Sequence, residues 1–422
     1  LPAAFLAPAR RTLPRQLTGT SPVSKSISIN RLISRRSPRS LTGLAVKPLP
    51  RPHFAPCTIT FGRQIDSVRW LRPSRPFRDV HDYLLPGFID LQVNGAYDID
   101  VMAATVSDLL ELSHCLAHDG TTSWMPTVIT APLDHLERAD AVIAEAMAVQ
   151  AANARSSRRS SSLGAVILGL HLEGPFISPH RLGAHPPLNL LPVGDALERV
   201  MRLRSLRMIT IAPELEGAVD AIPRLVARGV TVALGHSDAT YAQTLAAVAA
   251  GATTVTHIFN AMRSFHHREP GLVGAALTHS QLYTGVIADG IHVHPAALSL
   301  VCRLPNTYLV SDRVAAAGAA SVSLGSLSSG LIRDARVIGD AVRLPNGTLA
   351  GATASILDSL HVLARASLIE PAIFPRLSSG ASAELLGLTD RARLTRGARA
   401  DLLLLDHDFK LKAVFLAGQD LN

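Results

Sequence analysis

From Leu84 onward the chain alternates short, β-branched apolar runs with longer Ala/Leu-rich stretches whose apolar positions recur at helical spacing. This is the pattern of parallel strands joined by amphipathic helices. It predicts strands near 85–93, 122–129, 165–173, 207–212, 230–236, 252–258, 284–289 and 306–312. Helices are predicted over 104–118, 133–152, 218–228, 239–250 and 354–367, the last lying beyond the eighth strand. Eight strands with intervening helices predict an α/β fold, a TIM-like (β/α)8 barrel spanning 84–389.

The flanks follow another pattern. CTITFGRQIDSVRW at 57–70 reads as a hairpin, and ADLLLLDHDFKLKAVFLA at 400–417 reads as two strands joined by an Asp-rich turn. Segments 57–83 and 390–422 are therefore expected to meet in a small β-sandwich subdomain. Residues 1–56 are rich in Ser, Arg and Pro, contain no acid and lack periodicity, so they read as a leader or disordered arm. An organellar transit peptide has the same bias. The Ser/Arg run at 155–162 reads as a solvated loop.

Charge changes the picture little. The net charge is +8, but residues 1–65 hold 11 Lys or Arg and no acid, leaving 30 basic against 33 acidic residues in the remainder. The body of the chain is not basic, which removes the charge argument for nucleic-acid binding. No run reaches the roughly 18 apolar residues of a membrane span. Cys57, Cys115 and Cys302 are scattered without a C-x-x-C pair, so neither a disulfide framework nor a thiolate metal site is expected. A reducing, cytoplasmic setting follows, with organellar targeting by the arm as the alternative.

Barrel side chains at C-terminal strand ends converge on one mouth. Three apolar runs stop there at a metal-capable residue: LGLHLEGPF at 168–176 carries Glu173, GHSDAT at 235–240 carries His236, and THIFNAM at 256–262 carries His257. Asp312 ends the eighth strand, and Gln92 and Asn94 end the first. Taken singly, a histidine after an apolar strand is commonly a hydrogen-bonded core residue, and a glutamate before Gly-Pro also suits a turn. Taken together on successive strand ends, one carboxylate and two imidazoles suit a catalytic divalent metal with an open position.

LPGFIDLQVNG, GLHLEGPF, GAHP, GHSDAT, THIFNAM, REPG, IADGIHV and LVSD follow one another in this order. Over about 84–405 the series resembles that of the N-acetylglucosamine-6-phosphate deacetylase family, metal-dependent hydrolase barrels of the amidohydrolase superfamily. The resemblance implies hydrolysis of the acetamide of N-acetylglucosamine 6-phosphate to glucosamine 6-phosphate and acetate, in amino-sugar catabolism. It implies Glu173, His236 and His257 as metal ligands. Many amidohydrolases carry H-x-H after the first strand for a second metal. Gln92 and Asn94 stand at those positions, and neutral amides are poor ligands for zinc-like ions. One divalent ion per subunit is thus expected, zinc first, with iron or cobalt as alternatives.

By the same resemblance Asp312 is the general base and then acid, and His185 of GAHP polarises the amide carbonyl. The substrate contacts implied are the backbone at Asn260 and Ala261, His292, and Arg268 reaching the phosphate from a neighbouring subunit. A guanidinium fork suits a phosphate. A homodimer with a small phosphosugar substrate follows, with neither nucleic acid nor membrane as partner. His266, His267 and His294 are read as loop residues outside the chemistry.

The chain departs from the family pattern in three places. Arg313 follows Asp312 where the family has a small residue; it either stabilises the charged carboxylate or is turned away by strand alternation. Ala352 stands where a serine is usual, and the region before Leu84 does not resemble the family's N-terminal β layer. The competing readings are an amidohydrolase acting on another acylated amine or cyclic amide, and a catalytically impaired barrel.

Overall fold

The computed structural model describes residues 39–47, 53–71, 82–155, 164–319, 326–327, 332–333, 335–338 and 341–421. Eight parallel strands pair in chain order: Phe88–Val93, Thr121–Ile129, Leu170–Glu173, Leu206–Ile211, Thr231–Leu234, Thr254–Val255, Tyr283–Val286 and Thr307–Leu309. Every residue of the first two is buried, as in parallel sheets covered on both faces. The first and eighth strands meet just past the eighth. There Val93 bridges Arg313, and the Asp312 N–H donates to the Gln92 carbonyl at 2.9 Å. The buried Asp90 carboxylate reinforces the seam by accepting from the Ser311 and Gln92 N–H groups at 3.1 and 3.2 Å.

A helix follows each strand: Val106–His118, Leu133–Arg155, Gly194–Arg202, Ala218–Ala227, Tyr241–Ala250, Gly271–Thr278, Pro295–Val301 and Ile356–Arg365. Thr105, Thr240 and Ser355 open three of them with reciprocal capping boxes, which satisfy backbone donors that the first turn leaves free. None of these helices is long and apolar enough to cross a membrane.

Several expectations are corrected. The helices at 194–202, 271–278 and 295–301 are additions to those read from periodicity. Residues 271–276 are buried on all sides, so they carry no amphipathic stripe to read. The single strand expected over 165–173 is broken into Val166–Ile167 and Leu170–Glu173, because Gly169 adopts a φ of +131° between them. Between the eighth strand and its helix lies an unforeseen antiparallel sheet, Arg336–Ile338, Ala341–Arg343 and Leu349–Ala352, whose strands are too short for their pattern to register.

Both ends of the chain build a second sheet of seven strands. Their order is Gln419–Asp420, Leu411–Leu416, Leu402–Leu405, Tyr83–Pro86, Arg39–Lys47, His53–Phe61 and Ile65–Trp70. Phe61 and Phe415 lie on strands separated by three others, yet their rings stand 5.3 Å apart in an edge-to-face contact. The sheet therefore bends back on itself around Cys57, Ile59, Leu84 and Leu402. Arg39–Lys47 and the start of His53–Phe61 fall inside the segment expected as a leader. Gly43 and Ala45 alternate inward there, a period-two signal too brief to stand out among Ser and Arg. Residues 1–38 and 48–52 of the expected arm and 156–162 of the expected loop lie outside the described residues.

Candidate active site

Glu173 closes the third strand with its carboxylate in the buried barrel mouth, and three imidazoles turn toward it. His257 Nε2 lies 2.7 Å and His236 Nε2 3.2 Å from Glu173 Oε1, and these two nitrogens are 3.1 Å apart. His185 Nε2 faces the other carboxylate oxygen at 3.5 Å. His236 sits at a φ of +47°, a region sparsely used by side-chain-bearing residues, which aims the ring inward from the end of its strand. Gly235 before it packs so closely that a Cβ would fall 2.4 Å from the Thr256 methyl.

The protons decide what this cluster accommodates. His236 Nδ1 is 3.0 Å from the Arg181 carbonyl oxygen, which can only accept, so Nδ1 carries the hydrogen. Burial, then the neighbouring His185, push its pKa down to about 4, so the ring is neutral and Nε2 presents a lone pair. That lone pair faces a carboxylate oxygen and a second imidazole nitrogen in the buried mouth. Burial opposes charge on Glu173, but the charge of His257 and the hydrogen bonds that His257 and His185 make hold its carboxyl well below the ordinary range. Burial likewise opposes charge on His257, and Glu173 overrides it, holding that imidazole above its usual value. The Glu173 carboxylate, the His236 lone pair and the His257 ring thus meet at one buried point, an arrangement able to hold a divalent cation. One carboxylate with imidazoles, one of them oriented by a backbone carbonyl, is a donor set suited to a divalent metal ion.

The first strand supplies hydrogen-bond donors to the site. Gln92 Oε1 accepts from the Thr256 hydroxyl at 2.6 Å, which directs its NH2 toward Glu173 Oε1 at 2.9 Å and Asp312 Oδ1 at 3.2 Å. Asn94 Nδ2 donates to the same Asp312 oxygen at 2.7 Å. Asp312 adopts a φ of +51°. Burial and the charge of Glu173 raise its pKa to about 7, against the pull of His257, His292 and Asn94. A carboxyl at this value can both take and give a proton near neutrality.

The remaining expected residues divide between the pocket and the surface. Asn260, Ala261 and His292 line the cavity that contains Glu173, His185 and Asp312, a space of about 290 Å³. Gly183 has a φ of +59° and lies against Ala261 and His236, which lets the 183–186 loop carry His185 into the mouth. Arg268 is exposed on the loop after the sixth strand, hydrogen-bonded to His267, and is not among the residues lining its own chain's pocket. His294 caps the helix 295–301 through the Ala296 N–H.

Arg313 is turned away from the mouth. Its Nη1 donates to Asp119 Oδ2 at 2.6 Å, and its guanidinium stacks 5.2 Å from the Tyr97 ring centroid. Tyr97 also donates to Asp119. Burial disfavours charge on Arg313, but Asp119 overcomes it and keeps the cation intact. Asp119→Asn is therefore expected to destabilise the fold by about 3 kcal/mol, because a buried guanidinium loses its counter-charge. A urea-denaturation midpoint equal to wild type contradicts this. Ala352 serves through its backbone, its N–H donating to the Asp312 carbonyl at 2.9 Å and its carbonyl accepting from Val314 at 3.2 Å.

Sequence reasoning missed the supporting residues. Asp289 Oδ2 is 2.6 Å from His292 Nδ1 and its Oδ1 accepts the N–H groups of Ile291 and His292. The short D-G-I-H spacing was the available signal. Thr130 lies 3.0 Å from His185 Nδ1 and Thr256 orients Gln92. Thr130 carries no local mark in the sequence, and Thr256, though it opens THIFNAM, carries none that points to Gln92.

An eight-stranded barrel with a carboxylate, three histidines and an aspartate at its C-terminal mouth defines an amidohydrolase, and the amidohydrolase family pattern matches residues 83–421. N-acetylglucosamine-6-phosphate deacetylase of Danio rerio is 39% identical over 362 residues, 80% of this chain and 83% of the relative. N-acetylgalactosamine-6-phosphate deacetylase of Escherichia coli O157:H7 is 36% identical over 345 residues, 80% and 87% of the two chains. The structure of a mutant Mycobacterium smegmatis N-acetyl-D-glucosamine-6-phosphate deacetylase, in complex with N-acetyl-D-glucosamine-6-phosphate, superposes with a TM-score of 0.78. It is 30% identical and covers 92% of this chain and 100% of that one. The chain belongs to the N-acetylglucosamine-6-phosphate deacetylase family.

Proposed function

We propose that the protein hydrolyses the acetamide of N-acetylglucosamine 6-phosphate to glucosamine 6-phosphate and acetate, in amino-sugar catabolism. The observation that carries this reading is the convergence of Glu173, His236 and His257 on one buried point, with Asp312 and His185 on either side. Glu173, His236 and His257 hold a single divalent ion, zinc first, with iron or cobalt as alternatives. When bound, that ion supplies Lewis acidity for water activation and carbonyl polarisation. A second ion is disfavoured because Gln92 and Asn94 present N–H donors, not lone pairs, to Asp312.

Asp312 Oδ2 removes a proton from the attacking water and returns it to the amide nitrogen, so that an amine rather than an amide anion departs. Gln92 and Asn94 tie down the other oxygen and fix the carboxylate's rotation. His185, placed by Thr130, faces the oxygen on which negative charge develops. His292, held by Asp289, and the turn at Asn260–Ala261 face the sugar. Arg268, which does not line its own chain's pocket, reaches the phosphate of a neighbouring subunit in a homodimer. Three unpaired cysteines suit a reducing, cytoplasmic setting.

The likeness to the galactosamine-type relative favours a second reading, in which the 4-epimer is the substrate. Acetate release should be measured from both 6-phosphosugars and from unphosphorylated N-acetylglucosamine. The proposal expects the gluco 6-phosphate to have the largest kcat/KM. Preference for the galacto epimer supports the second reading, and equal turnover of the unphosphorylated sugar overturns both.

A further inference from the structure

The cavity has two unlike halves. One arc, formed by Asn260, Ala261 and His292, is polar; the other, formed by Ile129, Val314 and Ala350, is apolar and buried. Building on the deacetylase reading, we propose that this apolar arc is the acyl subsite: it receives the methyl of the acetyl group and limits the acyl length.

The placement follows from the strands. Ile129 is the register partner of Glu173 on the neighbouring strand, so its side chain emerges beside the carboxylate. Thr130, next in the chain, holds His185. Val314 lies two residues beyond Asp312 on the extended segment that bridges the first strand and Ala352. The reacting carbonyl carbon has to lie between Asp312, which handles the proton, and His185, which faces the oxygen. Its third substituent, the acyl chain, then meets the surface joining those two residues, which is Ile129 and Val314. Asn260 and His292, which can hydrogen-bond sugar hydroxyls, lie on the opposite arc.

The wall is also firm. Strand 349–352 of the inserted sheet pairs along 312–314, the Val314 N–H donating to the Ala352 carbonyl at 3.2 Å. A Cβ on Gly351 would fall 2.4 Å from a Val314 methyl, so the two segments are in close contact. Ile129, Val314 and Ala350 share one packed cluster with Val342 of that sheet. A close-packed interior accommodates an extra methylene poorly, and one methylene in such a pocket changes recognition about 10- to 200-fold.

The test compares kcat/KM for the N-acetyl, N-propionyl and N-butyryl derivatives of glucosamine 6-phosphate. In the wild type, propionyl should fall at least about 10-fold below acetyl. Ile129→Ala should raise the propionyl-to-acetyl ratio by about 10-fold and give measurable butyryl turnover. Val314→Ala, a smaller truncation, should move the ratio in the same direction if Ile129→Ala fails to fold. A ratio unmoved in a folded variant that still releases acetate overturns the acyl assignment alone. Absence of acetate release by the wild type overturns the deacetylase reading beneath it, and this assignment with it.

Discussion

Asp312→Asn is expected to lower kcat by roughly 10²–10⁴-fold, the usual contribution of a positioned acid–base group, while metal content stays at the wild-type level. The substitution keeps the side chain's shape, and its carbonyl oxygen can still accept from Gln92 Nε2 and Asn94 Nδ2. What it removes, on the proposed mechanism, is the oxygen that exchanges a proton between water and the leaving nitrogen. Because the Glu173–His236–His257 cluster does not depend on Asp312, the metal should remain. Turnover within about 3-fold of wild type contradicts the role given to Asp312; equal loss of metal and activity contradicts the division of labour.

His236→Ala is expected to lose both metal and turnover. His236 Nε2 faces Glu173 Oε1 and His257 Nε2, and its Nδ1 is anchored on the Arg181 carbonyl. Truncation deletes one of three convergent donors together with its fixed orientation. Loss of a supporting partner alone typically costs 10- to 100-fold in metal affinity, so loss of the ligand should exceed that. Elemental analysis after gel filtration should find wild type loaded and His236→Ala below about a tenth of it. A fully loaded His236→Ala points instead to His185, which also lies within reach of Glu173.

What the sequence makes legible follows from how each feature is encoded. Glu173, His236 and His257 each end an apolar run, so strand period and chemistry mark them together. Arg313 illustrates the limit. Alternation leaves two orientations open, and its partner Asp119 lies 194 positions away at the end of a helix. Thr256 stands in a visible motif, but its partner does not show there, since it turns the amide of Gln92, 164 positions earlier. The inserted sheet at 336–352 has strands of three or four residues, below the length at which period two can be told from chance. The acyl wall built on it could only be seen once Val314 and Ala350 stood side by side. Strand Arg39–Lys47 was hidden differently: it pairs with a local hairpin but lies in Ser/Arg-rich surroundings that read as unstructured.

Metal titration is the decisive measurement for a single-metal deacetylase site. Metal-free protein is titrated with zinc while acetate release from N-acetylglucosamine 6-phosphate is followed. Activity should rise linearly and break at one equivalent per chain. A break at two equivalents would contradict the reading of Gln92 and Asn94 as donors that keep a second ion out, and no activity with zinc, iron or cobalt would contradict the assignment of the site itself.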